Sequence, residues 1–259
     1  MPGRAGGVNA GPARGSRNPA EGAFSRGARG RGRLSLGQRE GRERAMLVSH
    51  RYRFIFIKTV KTAGTSIEVE LSKLMGPEDI VTEIVPPVEG HEPRNFVVNG
   101  VTLYNHMPAR HLREVIGREV FDGYLKFCVE REPVDKCLSY YAMIRNSPDH
   151  NAGTRDLSWA DFVASRKFPT DVGKYTSRTG RRLVDRILKY ERLEAELGAL
   201  MAELGVPFEG LRAQAKASYA KGGAPKPEVS EADRRAIYRA FRIARLYTGY
   251  RLRDARQTA

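Results

Sequence analysis

Disulfide frameworks and metal clusters are excluded almost at once, because the chain holds only two cysteines, Cys128 and Cys137, in 259 residues. Both lie in apolar contexts and read as buried free thiols, which favours a reducing, cytoplasmic compartment. No apolar run approaches the ~18–20 residues of a membrane-spanning helix, and the N-terminus lacks the apolar centre of a secretory signal. There is no internal repeat. Residues 1–45 are short of lysine, aromatics and large apolar side chains together: they hold ten Arg and eleven Gly but no Lys, and Phe24 is the single aromatic. Such a segment cannot repay the entropy of ordering and is expected to be disordered. An RGG-like RNA-binding arm needs interleaved aromatics. With Phe24 alone, an inert tail or a misassigned start with Met46 as the true first residue is the better reading, and nucleic acid is not the expected partner.

What the chain has in excess is positive charge. The net charge is +15, of which residues 1–45 contribute +7 and residues 46–259 the remaining +8. The second portion is long enough to bury one substantial core and is read as a single domain. Its charge suits an anionic ligand, an acidic polysaccharide, nucleic acid or an anionic membrane, without choosing among them.

The informative stretch is FIFIKTVKTAGTSIE, Phe54–Glu68. Phe54–Ile57 is an unbroken run of aromatic and β-branched residues, too short for a core helix and suited to a strand buried on both faces. Ile67, Val69, Leu71 and Leu74 then recur at near-helical spacing until Gly76-Pro77. Between them lie Lys58, Lys61, Gly64 and the hydroxyls of Thr59, Thr62, Thr65 and Ser66. A strand, a short loop with Gly and Lys, and a hydroxyl-rich helix start make a phosphate cradle, since free N–H groups and the helix dipole both favour an anion. The Walker A order, GxxxxGK[ST], is absent: Lys61 precedes Gly64 instead of following it.

Further along, Ile80–Val85 reads as a strand, and Phe96–Tyr104 as a hairpin with a type I′ turn at Asn99-Gly100. A helix starts at Pro108 and stops at Gly117, and a buried strand covers Tyr124–Val129. A helix follows over Val134–Arg145, then a short one capped by Ser158, a strand over Val184–Tyr190 and a helix from Leu193 to Leu204. Residues 206–229 are rich in Pro, Gly and Lys and read as mobile. Ser230 with Asp233 opens a final helix that turns Ile237, Phe241, Ile243 and Leu246 inward. Strands alternating with helices imply an α/β fold with a mainly parallel sheet.

A second stretch, FCVEREPVDKCLSYY (Phe127–Tyr141), repeats the logic of the first. Arg131 ends a buried strand, where open α/β sheets bind ligands, and its planar fork suits a phosphate. Ser139, two turns into the next helix, offers a hydroxyl toward the same group.

Together the two stretches resemble the sulfotransferases that use 3′-phosphoadenosine 5′-phosphosulfate (PAPS), bacterial carbohydrate-type members in particular. Lys61-Thr62-Ala63-Gly64-Thr65-Ser66 is similar to that family's 5′-phosphosulfate loop, and Arg131 with Pro133 and Ser139 to its 3′-phosphate motif, RxPxxRxxSxY. Glu132 and Lys136 stand where that motif has Asn and its second Arg. The likeness covers most of residues 46–250, including HMPARHLREVIG, VDRILKYERLEAEL and the closing YTGY. It implies a P-loop-like three-layer fold, a donor site formed by Lys61–Ser66, Arg131 and Ser139, and transfer of a sulfuryl group to an acceptor hydroxyl, with no metal required. A fixed cation at the leaving oxygen is stronger in the transition state than in the ground state, and Lys61 is the candidate. A general base near pH 7 suits histidine. His106, between an apolar strand and a helix, is the candidate because similar family members carry a histidine in a like place; Lys58 is a further contact candidate. The acceptor is expected to be a carbohydrate or another hydroxyl-bearing molecule, shaped by loops 86–95, 146–156 and 166–182. Two other readings stand beside this one: a P-loop-like small-molecule kinase, and a non-enzymatic polyanion binder.

Overall fold

The computed structural model describes residues 46–146, 153–212 and 226–252. The Gly/Arg-rich segment 1–45, residues 213–225 of the stretch read as mobile, and His150 lie outside the described residues.

Five strands form the central sheet: β1 (Leu47–Ser49), β2 (Phe54–Phe56), β3 (Ile80–Val81), β6 (Leu125–Glu130) and β7 (Arg186–Lys189), in the order β3-β1-β2-β6-β7. β4 (Val97–Val98) and β5 (Val101–Thr102) make a separate hairpin, with Asn99 and Gly100 at φ 51° and 74° as a type I′ turn requires. β2–β6 and β6–β7 pair parallel, whereas β1 pairs antiparallel with both β2 and β3. The sheet is therefore mixed, not mainly parallel as the alternation of elements suggests. The reason is local. Met46–Ile57 contains two strands folded back at His50–Arg53, with Arg53 in the left-handed region at φ 55°. Buried Asp79 holds that turn, accepting from the N–H of His50 (2.6 Å) and Arg51 (3.0 Å) and from the Ser49 hydroxyl (2.9 Å).

The period-2 geometry of the strands divides the core into two faces. Phe54, Phe56, Phe127 and Val129 pack with Ile67 and Leu71 of α1 (Gly64–Ser72) and Leu193, Leu197 and Leu200 of α6 (Leu193–Glu203). Ile55, Ile57 and Cys128 pack on the other side with Leu112 of α2 (Ala109–Ile116), Phe121 of α3 (Arg118–Gly123) and Tyr175. Phe54 through Ile57 are wholly buried, as the apolar run requires of a strand covered on both faces. A third cluster joins Cys137 and Tyr141 of α4 (Pro133–Asn146), Trp159 and Phe162 of α5 (Trp159–Ser165), Ile237 of α7 (Glu231–Ala240) and Ala244 of α8 (Arg242–Thr248). Both cysteines are buried and free.

Ser158 caps α5, and Ser230 with Asp233 forms the capping box of α7. The single final helix expected from the pattern is two, α7 and α8, because Phe241 leaves the helical region at ψ 11°. That interruption shifts the phase of the buried stripe. Phe241 stays inside, but Ile243 and Leu246 are 38% and 81% exposed and do not face the core. The helix α3 and the strand β1 are additions to the elements expected. No helix among the described residues is long and apolar enough to cross a membrane.

Candidate functional site

The two motifs leave adjacent parallel strands. The loop 58–63 follows β2 and the turn at Arg131 follows β6, so both lie at the C-terminal edge of the sheet, where open α/β sheets place their ligands. Backbone and side chain stitch the exits together. The Ile57 N–H donates to the Phe127 carbonyl at 2.8 Å, and the Thr59 hydroxyl donates to the Val129 carbonyl.

Within the loop, Lys61 and Ala63 take left-handed φ values of 60° and 59° on either side of Thr62. Alternation of this kind turns successive N–H groups toward one concavity that suits an anion. Ala63 is the N-cap of α1, no side chain caps that end, and its first turn carries no acid. The N–H groups of Gly64, Thr65 and Ser66 thus have neither an intrahelical acceptor nor a capping side chain. Thr62 serves the loop itself: its buried hydroxyl donates to the Thr59 carbonyl (3.1 Å) and pairs with the Thr59 hydroxyl (2.9 Å). Thr65 and Ser66 are buried at the helix start, and the Thr65 hydroxyl accepts from Lys58 at 3.2 Å. Lys58 also donates to Glu68 Oε2 at 2.8 Å, with side chains 5% and 0% exposed. Two of its three donors are therefore spent beneath the cradle, so Lys58 supports the loop from inside.

Arg131 joins the two motifs. Its Nε and Nη2 reach Asp135 Oδ2 at 2.6 and 2.5 Å, and Nη1 donates to the Lys61 carbonyl at 3.2 Å. The guanidinium lies over the Tyr190 ring, 4.0 Å from its centroid. Each terminal nitrogen keeps a second N–H beyond these bonds. Ser139, half-buried on α4, stands one helical turn beyond Asp135 and so on the same face. The Glu132 carboxylate is used up as a helix cap: Oε2 accepts the Asp135 N–H (2.7 Å) and Oε1 the Tyr238 hydroxyl (2.6 Å). Lys136 is fully buried and donates to Glu130 Oε2 at 2.8 Å and Asp171 Oδ2 at 2.7 Å. Burial works against its charge, but the two carboxylates outweigh that and push its pKa up. This lysine is internal.

His106 is drawn to the same edge. It has a left-handed φ of 59°, and its Nδ1 lies 3.0 Å from the Lys58 carbonyl. A carbonyl only accepts, so Nδ1 carries the proton and Nε2 is the basic nitrogen of the neutral ring. Asp171 is buried beside this segment, and the His106 charge is among those holding its carboxyl well below the usual range against the opposing effect of burial, after Lys136 and Lys174. Among the described non-glycine residues, seven have left-handed φ, and Lys61, Ala63 and His106 are three of them. Such conformations gather where function repays their strain.

Asp171, Glu130, Asn105 and His91 were not among the residues the sequence pointed to. Asp171 is a lone acid in a basic stretch, a signal that was available; Glu130 and Lys136 meet across a strand end and a helix, which no periodicity announces. Oδ1 of Asn105, buried next to His106, meets no hydrogen-bond partner among the described residues. His91, in the loop 86–95, lies near Lys58; burial, then Lys58 and Arg94, lower its pKa to about 4, so its ring is neutral at pH 7.

No family model matches the chain. Over 111 residues it is 37% identical to an uncharacterized protein of Archaeoglobus fulgidus, an alignment that takes in 40% of this chain and 86% of that protein. At that identity and coverage, this chain belongs to the same family as the Archaeoglobus fulgidus protein.

Proposed function

We infer that this chain is a PAPS-dependent sulfotransferase with a P-loop-like fold, acting on a hydroxyl-bearing, carbohydrate-like acceptor in the cytoplasm. The observation that carries the reading is the single junction at the C-terminal edge of the sheet, where Arg131 donates to the carbonyl of Lys61 and the uncapped start of α1 opens beside both. Tested against a 3′,5′-substituted nucleotide, the donor set fits: N–H groups, Lys61 and two hydroxyls for one anionic end, Arg131 and Ser139 for the other. Lys136 is withdrawn from the second group by its buried ion pairs. The two buried free thiols support a reducing compartment.

When bound, the co-substrate supplies an activated sulfuryl group, which the acceptor oxygen takes as adenosine 3′,5′-bisphosphate leaves. The residues of the chain do the rest. Lys61 and the N–H groups at Gly64, Thr65 and Ser66 present preorganised positive charge. Nε2 of His106 receives the proton released from the acceptor hydroxyl, while its Nδ1–H stays on the Lys58 carbonyl and keeps the ring oriented. Calorimetry with adenosine 3′,5′-bisphosphate, AMP and ATP tests the reading. Preference for the bisphosphate is expected; tighter binding of ATP overturns it in favour of a kinase.

A further inference from the structure

Asp171 precedes the short 3₁₀ turn Val172–Lys174 and is 3% exposed. Both of its oxygens are engaged. Oδ2 accepts the backbone N–H of Val60 and Nζ of Lys136, each at 2.7 Å, and Oδ1 accepts Nζ of Lys174 at 2.5 Å. Val60 adjoins Lys61 in the cradle loop, and two residues earlier the Lys58 carbonyl holds His106. Lys136 lies on α4, the helix that follows Arg131. One carboxylate thus ties the cradle loop to the helix of the second motif, beside the segment that carries the candidate base.

We propose that Asp171 is a positioning residue of this site: its carboxylate anchors the turn that carries Lys61 and supplies the fixed negative charge that supports a proton arriving on His106. This rests on the reading of His106 as the base. Asp171 is a poor acceptor for that proton, because two lysines and the Val60 N–H all favour its charged form. It acts through the loop and through its field.

The groups around it can be counted by element. β6 presents Glu130 and Cys128, α4 presents Lys136 and Tyr140, the turn itself presents Lys174 and Tyr175, and His106, on the segment after β5, lies within electrostatic reach. Burial pushes the Cys128 thiol and the Tyr140 and Tyr175 hydroxyls up, so these three stay neutral. The Tyr175 hydroxyl is close enough to Glu130 to affect its carboxyl, yet among the described residues neither it nor Glu130 Oε1 meets a partner in hydrogen-bonding geometry. Two lysines then stand against two carboxylates. Loss of the Asp171 charge leaves the lysines in excess, and a proton on His106 becomes the disfavoured state.

The test is an NMR pH titration of the His106 ring in the full chain and in Asp171→Asn, with calorimetry of adenosine 3′,5′-bisphosphate alongside. Asn keeps the size of the side chain and an acceptor for the Val60 N–H. The His106 pKa is expected to fall by about one unit, and the acidic limb of the kcat/KM profile to move to lower pH with it. Lys174→Gln, at a partly exposed position, guards against a folding defect and is expected to move the His106 pKa in the opposite direction. A merely structural Asp171 lowers stability and leaves the titration where it was. Bisphosphate binding by the unmodified chain together with an unmoved His106 titration in both variants overturns this proposal alone. No bisphosphate binding by the unmodified chain overturns the sulfotransferase reading and this proposal with it.

Discussion

A Cβ at Gly64 would lie 2.6 Å from Cγ of Lys58 and 2.7 Å from its Cε, with no positive φ at that glycine to demand flexibility. The glycine is there for space: it lets the Lys58 stem cross the helix start and reach Glu68. Gly64→Ala is expected to push that stem aside and leave the Glu68 carboxylate with its cation displaced. Urea unfolding should show a loss of about 3–5 kcal/mol, the usual scale for breaking a buried pair; a loss under ~1 kcal/mol means that Lys58 can be rerouted. Lys61 and His106 separate by a different measurement. Lys61→Ala is expected to lower turnover by ~10²–10³ with the fold retained. His106→Ala should abolish turnover while calorimetry still reports bisphosphate binding. Joint loss of binding and turnover in His106→Ala assigns the ring to the cradle, since its Nδ1 already bonds the Lys58 carbonyl.

At the scale of elements, the decisive contact is between two turns. The exits of β2 and β6 are neighbours because the strands pair parallel, and Arg131 spans them with a fork that also grips Asp135 and stacks on Tyr190. A lysine in its place offers one ammonium and no plane. Arg131→Lys is therefore expected to cost about 2 kcal/mol in bisphosphate binding, seen as a roughly 30-fold weaker Kd by calorimetry. Unchanged affinity would mean that Arg131 is only a brace between the turns. The neighbouring Glu132 shows how an element claims a side chain: a carboxylate that looks ill-suited to a phosphate site is the cap of α4 and the partner of Tyr238.

For the whole molecule, the buried titratable groups set a stability window. His91 has an ordinary value of 6.5 and about 4 in the fold, so between those values the unfolded chain binds the extra proton and stability falls as pH falls. The Asp171 carboxyl is depressed, so its contribution is present above the ordinary carboxylate value and is lost on further acidification. Glu130, raised chiefly by burial, works against this trend. Above about pH 10 the unfolded chain releases tyrosine protons that burial makes Tyr175, Tyr238 and Tyr250 retain, and stability declines again. Thermal melts are expected to show a plateau from pH 7 to about 9, where the thiols of Cys128 and Cys137, pushed up by burial in the fold, begin to titrate in the unfolded chain, with Tm falling from pH 6.5 to 4. His91→Gln should flatten that acid slope; an unchanged slope assigns it to other groups.

Local patterning was enough for the pieces whose cause is local. Phe54–Ile57 had to be a buried strand, Asn99-Gly100 a left-handed turn, and Ser158 and Ser230 caps, because each depends on neighbours within a few residues. The ordering of KTAGTS and of Arg131 after a strand likewise placed the candidate anion sites at strand ends. Packing across the chain settled what no short window contains. Whether Leu47–Ser49 pairs back on β2, and so makes the sheet mixed, depends on Asp79 some thirty residues away. Lys58 and Lys136 read as cations available to a ligand, yet both are consumed by carboxylates, since a charge taken from water must be paired. Asp171 is marked locally only as a lone acid in a basic stretch, which says nothing of its partners. Its place beside Val60, Lys136 and His106 comes from the folding of distant turns onto one edge of the sheet, where a single buried carboxylate can answer to several charges at once.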